Sequence, residues 1–196
     1  MTRSKRARAV SSERASGEDA RSEPEASEDN RVEIGESFVG LGAEAAHVNT
    51  VLGPRSGPVG MAWATALATP SSGHVPFIAV VRPGLPAKPM TLFVNKAAIA
   101  SDAHASLTWG AAQAGVAGGV ADAVAEGVIA RDEVDELALI AAVWVDPGAS
   151  DAEAVYRNNR AATRAALEAG RASQPKLDDV LAARLAPWNP FFTPGS

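Results

Sequence analysis

Apolar and polar residues recur along the chain with two periods, which predict strands and helices that follow one another in sequence. Alternating positions over residues 32–39 and short apolar runs elsewhere are typical of strands. Strands are therefore predicted over residues 32–39, 48–52, 76–81, 91–96 and 137–145. Helical spacing predicts helices over residues 58–67, 103–129, 151–172 and 177–185.

The helix predicted over residues 103–129 contains Gly110, Gly115, Gly118 and Gly119. Each glycine costs up to about 1 kcal/mol against alanine in a helix interior, so this prediction is weaker than the others. Asp151 is placed to cap the next helix, because its side chain accepts hydrogen bonds from the free amides of a first turn.

The interleaved strands and helices predict one α/β domain (α+β), with a mixed sheet packed with helices and a tail at each end. Residues 1–30 carry basic and then acidic side chains with little apolar content, which predicts a disordered N-terminal tail. The domain is expected over residues 31–173. Residues 174–196 end in an aromatic, proline-rich stretch and are interpreted as a C-terminal extension. We expect both tails to be dispensable for folding.

Composition narrows the possible functions. The chain has 196 residues, 46% of them hydrophobic, which suffices for one domain with a core, and its net charge of -5 argues against nucleic acid as a partner. It has no cysteine, which excludes disulfides and thiolate ligands and fits a reducing compartment. No apolar run reaches the roughly 20 residues of a membrane span, and no secretory signal opens the chain. No membrane partner is therefore expected.

His47 is the candidate catalytic residue, because histidine exchanges a proton near neutral pH. It lies at the start of the strand predicted over residues 48–52, ahead of a Gly/Pro-rich turn at residues 53–58, where a proton donor can face a ligand. A lone histidine in such a position is more often structural. His74 and His104 are expected to be solvated. Three scattered histidines without cysteine show no metal-ligand spacing, so no metal is expected.

Lys96 and Gln113 each have a structural and a functional interpretation. Lys96 ends an apolar strand, where a lysine often simply reaches water but also suits an anionic or carbonyl-bearing ligand. Gln113, among small residues, is either a surface group or a reader of a heterocycle edge through its paired donor and acceptor. The loop at residues 53–58 lacks both glycine-rich phosphate motifs and is interpreted as a rigid turn.

A series of short motifs, in order from Arg31 to about Ala172, resembles the formaldehyde-activating enzyme family. The motifs are Gly35-Glu36, Ala46-His47, Gly53-Pro54-Arg55, Leu85-Pro86-Ala87-Lys88-Pro89, Asn95-Lys96, Ala112-Gln113, the run at residues 123–127, and Tyr156 with Asn159, Ala162 and Thr163. Both tails lie outside these motifs. The resemblance implies a cytoplasmic homopentamer of ribosomal-protein-S5-domain-2-like subunits, active in one-carbon metabolism, formaldehyde detoxification and methylotrophy.

The resemblance also implies a reaction and a site. The chain would act as a hydro-lyase that condenses formaldehyde with tetrahydromethanopterin and releases water, with no bound cofactor and with tetrahydromethanopterin as co-substrate. The family's proton-donating histidine falls on His47, which suits a reaction whose hydroxyl group leaves only when protonated. The positions of its pterin contacts are Asn49, Ile78, Lys96, Ala98 and Gln113.

Two of these positions depart from the family pattern: Asn49 replaces an aspartate and Ala98 a threonine. Ile78 replaces a leucine and keeps an apolar contact, and Trp109 replaces the usual phenylalanine. Loss of the carboxylate at Asn49 is expected to make His47 a poorer acid, and Ala98 removes a hydroxyl contact. The first interpretation is a formaldehyde-condensing enzyme. The alternative is a non-catalytic paralogue that binds a pterin or carbonyl ligand as a carrier or sensor.

Overall fold

A five-stranded sheet forms the centre of the protein in the computed structural model, which describes residues 31–195. The strands are β1 (Glu33–Val39), β2 (Ala46–Pro54), β3 (Phe77–Ile78), β4 (Val80–Arg82), β5 (Leu85–Pro86), β6 (Met90–Asn95) and β7 (Leu137–Trp144). Their order in the sheet is β1-β2-β7-β6-β3, and β4 pairs with β5 in a separate hairpin. β6 and β7 are parallel, whereas the other neighbours are antiparallel. The sheet is therefore mixed, as the sequence predicted.

The helices follow the predicted pattern closely. They are α1 (Pro58–Ala68), α2 (Asp102–Ser106), α3 (Gln113–Ala125), α4 (Ala152–Arg171) and α5 (Leu177–Ala183). A π-helical segment, Leu107–Ala112, joins α2 to α3, and a 3-10 turn, Gly42–Glu44, precedes β2. Asp151 caps α4 as predicted, because its side chain accepts from the Ala154 backbone N–H at 3.0 Å.

The core lies between one face of the sheet and helices α3 and α4. Alternate residues of β2 are buried on this face: Ala46, Val48, Thr50 and Leu52. Strand geometry turns the intervening residues to the opposite face. On that face, α1 packs on β2 and β7 at one end of the sheet. Val59 of α1 lies close to Gly53 of β2, since a Cβ on this glycine would be 2.8 Å from Val59 Cγ2. The end that carries His47 stays open.

The apolar run at residues 76–81 does not form one strand, in contrast to its prediction. The chain leaves the sheet after β3, where Ala79 donates to the Thr91 carbonyl at 2.9 Å and accepts from the Ala87 amide at 3.0 Å. β4 then turns back to pair with β5. Gly84, with a φ of +78°, completes this turn. A short apolar run does not reveal such a change of partner.

The segment after α4 is exposed. All residues from 174 to 195 are solvent-exposed, including α5 and the aromatic residues near the C-terminus. The domain boundary at residue 173, just past the end of α4, stays a prediction. The N-terminal tail predicted for residues 1–30 lies outside the described residues. Within residues 31–195, no helix combines the length and apolar composition needed to cross a membrane.

Candidate active site

His47 lies on the open face of the sheet in a row of three ring-bearing side chains. The register of β1, β2 and β7 places Phe38 on one side of it and Trp144 on the other. The ring centroids of Phe38 and His47 are 5.9 Å apart, and 37% of the His47 side chain is exposed. The imidazole is therefore in contact with a neighbouring ring but still accessible to a ligand.

Glu36 is a partner of His47 that the sequence analysis missed. Its Oε1 lies 3.0 Å from His47 Nε2. Glu36 is paired in register with Asn49, so its carboxylate reaches His47 along the diagonal between neighbouring strands, a distance that long side chains span. The alternation in β1 contained a signal for this contact, since Glu36 is a polar residue on a strand next to the His47 strand.

A second polar contact lies next to His47 on the same face. Lys96 directly follows β6, and its Nζ donates to Asn49 Oδ1 at 2.7 Å. In the sheet register, Ala142 of β7 lies between Asn49 and Val94 of β6. The small Ala142 side chain leaves room for the Lys96 stem to cross β7 and reach β2.

Burial lowers the pKa values of His47 and Lys96, the two basic groups on this face. Burial, and then the charge of Lys96, lower the pKa of His47 from its ordinary value, whereas Glu36 raises it through its charge and its hydrogen bond. Burial lowers the pKa of Lys96 to about 8, against a smaller increase from Glu36. The pKa of Lys96 is therefore much closer to neutral pH than that of a lysine in water.

Glu36 provides His47, the proposed acid, with a carboxylate that Asn49 does not provide. From the sequence, Asn49 is expected to make His47 a poorer acid, because it replaces an aspartate of the family pattern. His47 nevertheless has a carboxylate partner, because Glu36 supplies one at hydrogen-bonding distance. The effect of Asn49 on the acid strength of His47 stays a prediction. Asn49 instead offers a neutral oxygen to Lys96.

The other predicted pterin contacts lie outside this cluster. Ile78 is in β3 at the edge of the sheet, three strand spacings from β2, or roughly 14 Å at ordinary strand separation. Gln113 is buried at the start of α3 and donates from Nε2 to the Val80 carbonyl at 2.7 Å. Ala98 lines a separate hollow of about 380 Å³ together with Trp109. A single chain brings together only part of the predicted set, namely His47, Asn49 and Lys96.

The two remaining histidines differ in their surroundings. His104 was expected to be solvated, which is wrong, because it is 1% exposed. Its Nδ1 accepts from the Ala100 backbone N–H at 3.1 Å, so Nε2 carries the proton and donates to the Val145 carbonyl at 3.0 Å. His74 is exposed, as predicted, with Nδ1 2.8 Å from the Asn95 carbonyl oxygen. Across residues 31–195, no three His, Cys, Asp or Glu side chains are grouped to hold a metal ion.

A groove of about 860 Å³ opens beside His47. On the sheet side it is lined by Phe38 and Trp144, and on the other side by residues of the C-terminal segment, which we define as residues 188–192. Phe191 of this segment meets Trp144 edge-on, with ring centroids 5.5 Å apart. The groove has the volume of a small-molecule site.

These side chains together support acid–base chemistry on a small ligand. His47 can donate a proton, Glu36 stabilises the protonated imidazole, and Lys96 can bind an electron-rich atom of a ligand. The sequence analysis identified His47 and Lys96 but missed Glu36 and the C-terminal segment. Alternation placed Glu36 on a polar face of β1, but its contact with His47 depends on the register between β1 and β2. The position of the C-terminal segment likewise depends on a contact between distant parts of the chain.

The chain matches the sequence profile described as formaldehyde-activating enzyme (Fae) over residues 34–192. This range includes the C-terminal segment, which the short motifs had left outside the resemblance. The chain is also similar to the 5,6,7,8-tetrahydromethanopterin hydro-lyase of Methanosarcina barkeri, with 39% identity over 158 residues. That alignment covers 81% of this chain and 89% of the relative.

Longer relatives are named bifunctional enzyme Fae/Hps. The one from Methanosarcina barkeri is 43% identical over 149 residues, which are 76% of this chain and 38% of that relative. The one from Archaeoglobus fulgidus is 40% identical over 158 residues, which are 81% of this chain and 40% of that relative. The chain thus spans about two fifths of the length of these bifunctional relatives. On the matched profile and the similarity to the hydro-lyase, the chain belongs to the formaldehyde-activating enzyme family.

Proposed function

We propose that this chain condenses formaldehyde with tetrahydromethanopterin to give the methylene-bridged pterin and water. The observation that carries the proposal is the position of His47, beside a carboxylate and at the edge of a groove of ligand size. A relative that aligns over most of its length is named as a tetrahydromethanopterin hydro-lyase. The protein would thus be a carbon–oxygen lyase of one-carbon metabolism, with roles in formaldehyde detoxification and methylotrophy.

The reaction needs a proton donor at one defined step. A ring nitrogen of the pterin adds its lone pair to the formaldehyde carbon, and its proton passes to the oxygen, which gives a carbinolamine. The hydroxyl group leaves as water when His47 donates a proton to it and the C–O bond breaks. The second nitrogen, on the arylamine, then attacks the iminium carbon, and its proton returns to His47. Holding the two nitrogens in line for this closure is the site's other contribution.

Glu36 improves His47 as a proton donor. Partial burial and the charge of Lys96 both lower the pKa of His47, and Glu36 opposes them. A carboxylate at hydrogen-bonding distance stabilises the protonated imidazole through charge and through the hydrogen bond itself. The pair therefore keeps a larger fraction of His47 in its donor form near neutral pH.

The pterin site is proposed to lie between two copies of the chain. Asn49 and Lys96 lie beside His47. In a single chain, the three other predicted contacts lie outside that cluster, namely Ile78, Ala98 and Gln113. Their distance from His47 favours a shared site. A neighbouring copy that presents them to His47 would complete the set. We therefore propose a homo-oligomer, and by the family resemblance a homopentamer.

The proposal includes no bound cofactor and no metal. Tetrahydromethanopterin enters as a co-substrate and leaves as product, and the side-chain amides of Asn49 and Gln113 offer donors and acceptors suited to a pterin edge. We also propose a cytoplasmic location, with no membrane and no nucleic acid among the partners. The net charge of -5 supports the last point.

Turnover and pterin binding, measured side by side, test the role of His47. His47→Ala should lose about 10²–10⁴-fold in turnover, followed as methylene-pterin formation at low formaldehyde after subtraction of the uncatalysed rate. Pterin binding should fall much less, because Asn49 and Lys96 remain. Arg157→Ala is the control, since this exposed residue of α4 lies outside the groove, and it should keep the parent rate.

Two results would contradict parts of the proposal. Turnover in the parent that His47→Ala leaves intact would overturn the assignment of His47 as the acid. Saturable pterin binding without turnover in the parent would favour the non-catalytic carrier or sensor instead. Asn49 and Ala98 are the residues that favour this second function, because Asn49 removes a carboxylate and Ala98 a hydroxyl group of the family pattern.

A further inference from the structure

The C-terminal segment is folded back against the sheet beside His47. A turn fixes its conformation: Asn189 and Phe192 exchange backbone hydrogen bonds of 2.9 and 3.0 Å. Within the turn, the Phe191 N–H donates to Asn189 Oδ1 at 2.9 Å. This conformation places the Phe191 ring against Trp144 of β7, so the segment is held by a defined contact with the sheet.

The groove between the segment and the sheet has four aromatic rings in its lining, and Glu36 and Asp146 also line it. Phe38 and Trp144 come from the sheet, and Trp188 and Phe191 come from the segment. Trp188 is 72% exposed and Phe191 is 75% exposed, so most of each ring has no packing partner within the described chain. Uncovered aromatic rings around a concave site are suited to stacking on a flat ligand.

His47 lies at the boundary between this aromatic lining and a polar row. The sheet register creates two neighbouring rows across β1, β2 and β7, the first with Phe38, His47 and Trp144, the second with Glu36, Asn49 and Ala142. The rows are about 7 Å apart along the strands, and Lys96 joins the second row through Asn49. A ligand that extends over both rows would have its middle next to His47.

The co-substrate of the proposed function, on which this inference rests, has a matching two-part form. In the product, the methylene group from formaldehyde joins a nitrogen of the reduced pterin ring to the nitrogen of an arylamine, so the reacting atoms lie between two ring systems. We propose that the aromatic groove binds the arylamine ring and that the polar row faces the reduced pterin ring. Trp188 and Phe191 are then part of the substrate site and determine its affinity for arylamine-bearing pterins.

The test compares the full co-substrate with a pterin that lacks the arylamine. In Trp188→Ala and in Phe191→Ala, the KM for tetrahydromethanopterin should rise about 10-fold, as expected for the loss of one aromatic stack. The kcat should stay within about two-fold, because the lost contact is made equally in the ground and transition states. Binding of 6-methyltetrahydropterin, measured by calorimetry without oxygen, should not change, since this molecule reaches only the polar row.

Phe192→Ala provides the matched control. Phe192 belongs to the same turn, but its recorded contacts there are backbone hydrogen bonds, and its side chain is not part of the groove lining. Its replacement should leave the KM and both binding constants at the parent values. A rise in KM equal to that of Phe191→Ala would mean that the segment acts through its overall position, and would overturn the stacking role.

The remaining outcomes separate this inference from the proposed function. Unchanged KM values in both groove variants, with turnover in the parent, would overturn the inference and leave the proposed function intact. A lower mass by light scattering for either variant would also overturn it, because the rings would then belong to a subunit contact. A parent that neither turns over nor binds either pterin overturns both. In a further outcome, the parent binds both pterins without turnover, while the groove variants bind only tetrahydromethanopterin more weakly. That result would support the role of the groove and overturn the proposed catalysis.

Discussion

Burial has the largest effect on the pKa of His47 and lowers it, and two neighbouring residues then act on it in opposite directions. Glu36 raises the pKa of His47 through its charge and hydrogen bond, whereas Lys96 lowers it, in addition to the larger effect of burial. A proton donor acts only in its protonated form, so activity should fall as the pH rises through this pKa. Changes at Glu36 and at Lys96 should therefore move this fall in activity in opposite directions.

Glu36→Gln should move the fall in activity to lower pH, because it removes the carboxylate that raises the His47 pKa. Lys96→Met should raise the His47 pKa, because it removes a neighbouring cation. NMR titration of the His47 ring in each variant measures the shift directly, and the pH–rate profile of Glu36→Gln shows whether the same group limits turnover. We expect a several-fold loss of rate for Glu36→Gln above neutral pH, where fewer molecules retain the proton.

Glu153→Gln serves as the control for this titration. Glu153 forms an exposed pair with Arg157 on α4, so its loss should leave the His47 titration at the parent pH. A His47 pKa that rises or stays constant in Glu36→Gln would contradict the contact on which the acid role of His47 depends.

Asn49→Asp should strengthen the site through both cationic groups. The new carboxylate would pair with the Lys96 ammonium, now bound to a neutral oxygen 2.7 Å away, and should raise the Lys96 pKa above about 8. It would also favour protonated His47. We expect a gain of about 1–2 kcal/mol in transition-state stabilisation, measured as kcat/KM. Unchanged kinetics would indicate a site adapted to another ligand.

Sequence reasoning singled out His47 by its residue type and its position at a strand start, and only the family resemblance gave it the role of the acid. It missed Glu36 because this contact depends on which residues of β1 and β2 are paired, and register is a property of two segments together. It misplaced His104 for the same reason. Buried His104 is hydrogen-bonded to the carbonyl of Val145, which lies 41 residues further along the chain.

The glycines of α3 weakened the sequence-based prediction of a helix that is present in the structure. A Cβ on Gly115 would lie 2.5 Å from the Tyr156 carbonyl oxygen, and a Cβ on Gly119 would lie 2.5 Å from that of Arg160. The two glycines therefore allow α3 and α4 to approach more closely than larger residues would permit. Helix propensity records the cost of each glycine but not the packing that offsets it.

Gly115→Ala should therefore destabilise the protein, although alanine is the better helix former. The added methyl group would collide with the backbone of α4, and overpacking of this kind costs about 1–3 kcal/mol. Gly110→Ala is the matched control, because a Cβ there meets no atom within 4 Å. It should be neutral or stabilising by up to about 1 kcal/mol. Denaturant unfolding measures both, and equal effects would contradict the close approach of α3 to α4.

Helix α1 has an apolar composition, but in a single chain most of it is exposed to solvent. Its sequence, PVGMAWATALA, contains no charged residue. Val59 is buried, but Met61 is 72% exposed, and most of the helix faces solvent. A helix that is apolar on all sides is ordinarily buried. Contact with another copy of the chain would supply that burial, which agrees with the placement of the pterin residues in two separate groups.

We therefore predict that the chain assembles with copies of itself through α1, with a mass in solution well above the 20.1 kDa of one chain. Met61→Glu should dissociate the assembly, because burying an unpaired charge costs several kcal/mol. Ala161→Glu is the control, since it adds the same charge at an exposed position of α4 and should keep the parent mass. Light scattering at micromolar concentration measures all three proteins.

The dissociated Met61→Glu protein also tests whether the active site is shared between subunits. It should lose turnover, because Ile78, Ala98 and Gln113 would no longer be supplied by a neighbour. Its His47 titration should stay close to that of the parent, because Glu36 and Lys96 belong to the same chain as His47. Full turnover in a protein with the mass of one chain would place the complete site within a single subunit. An unchanged mass in Met61→Glu would instead show that assembly uses a surface other than α1.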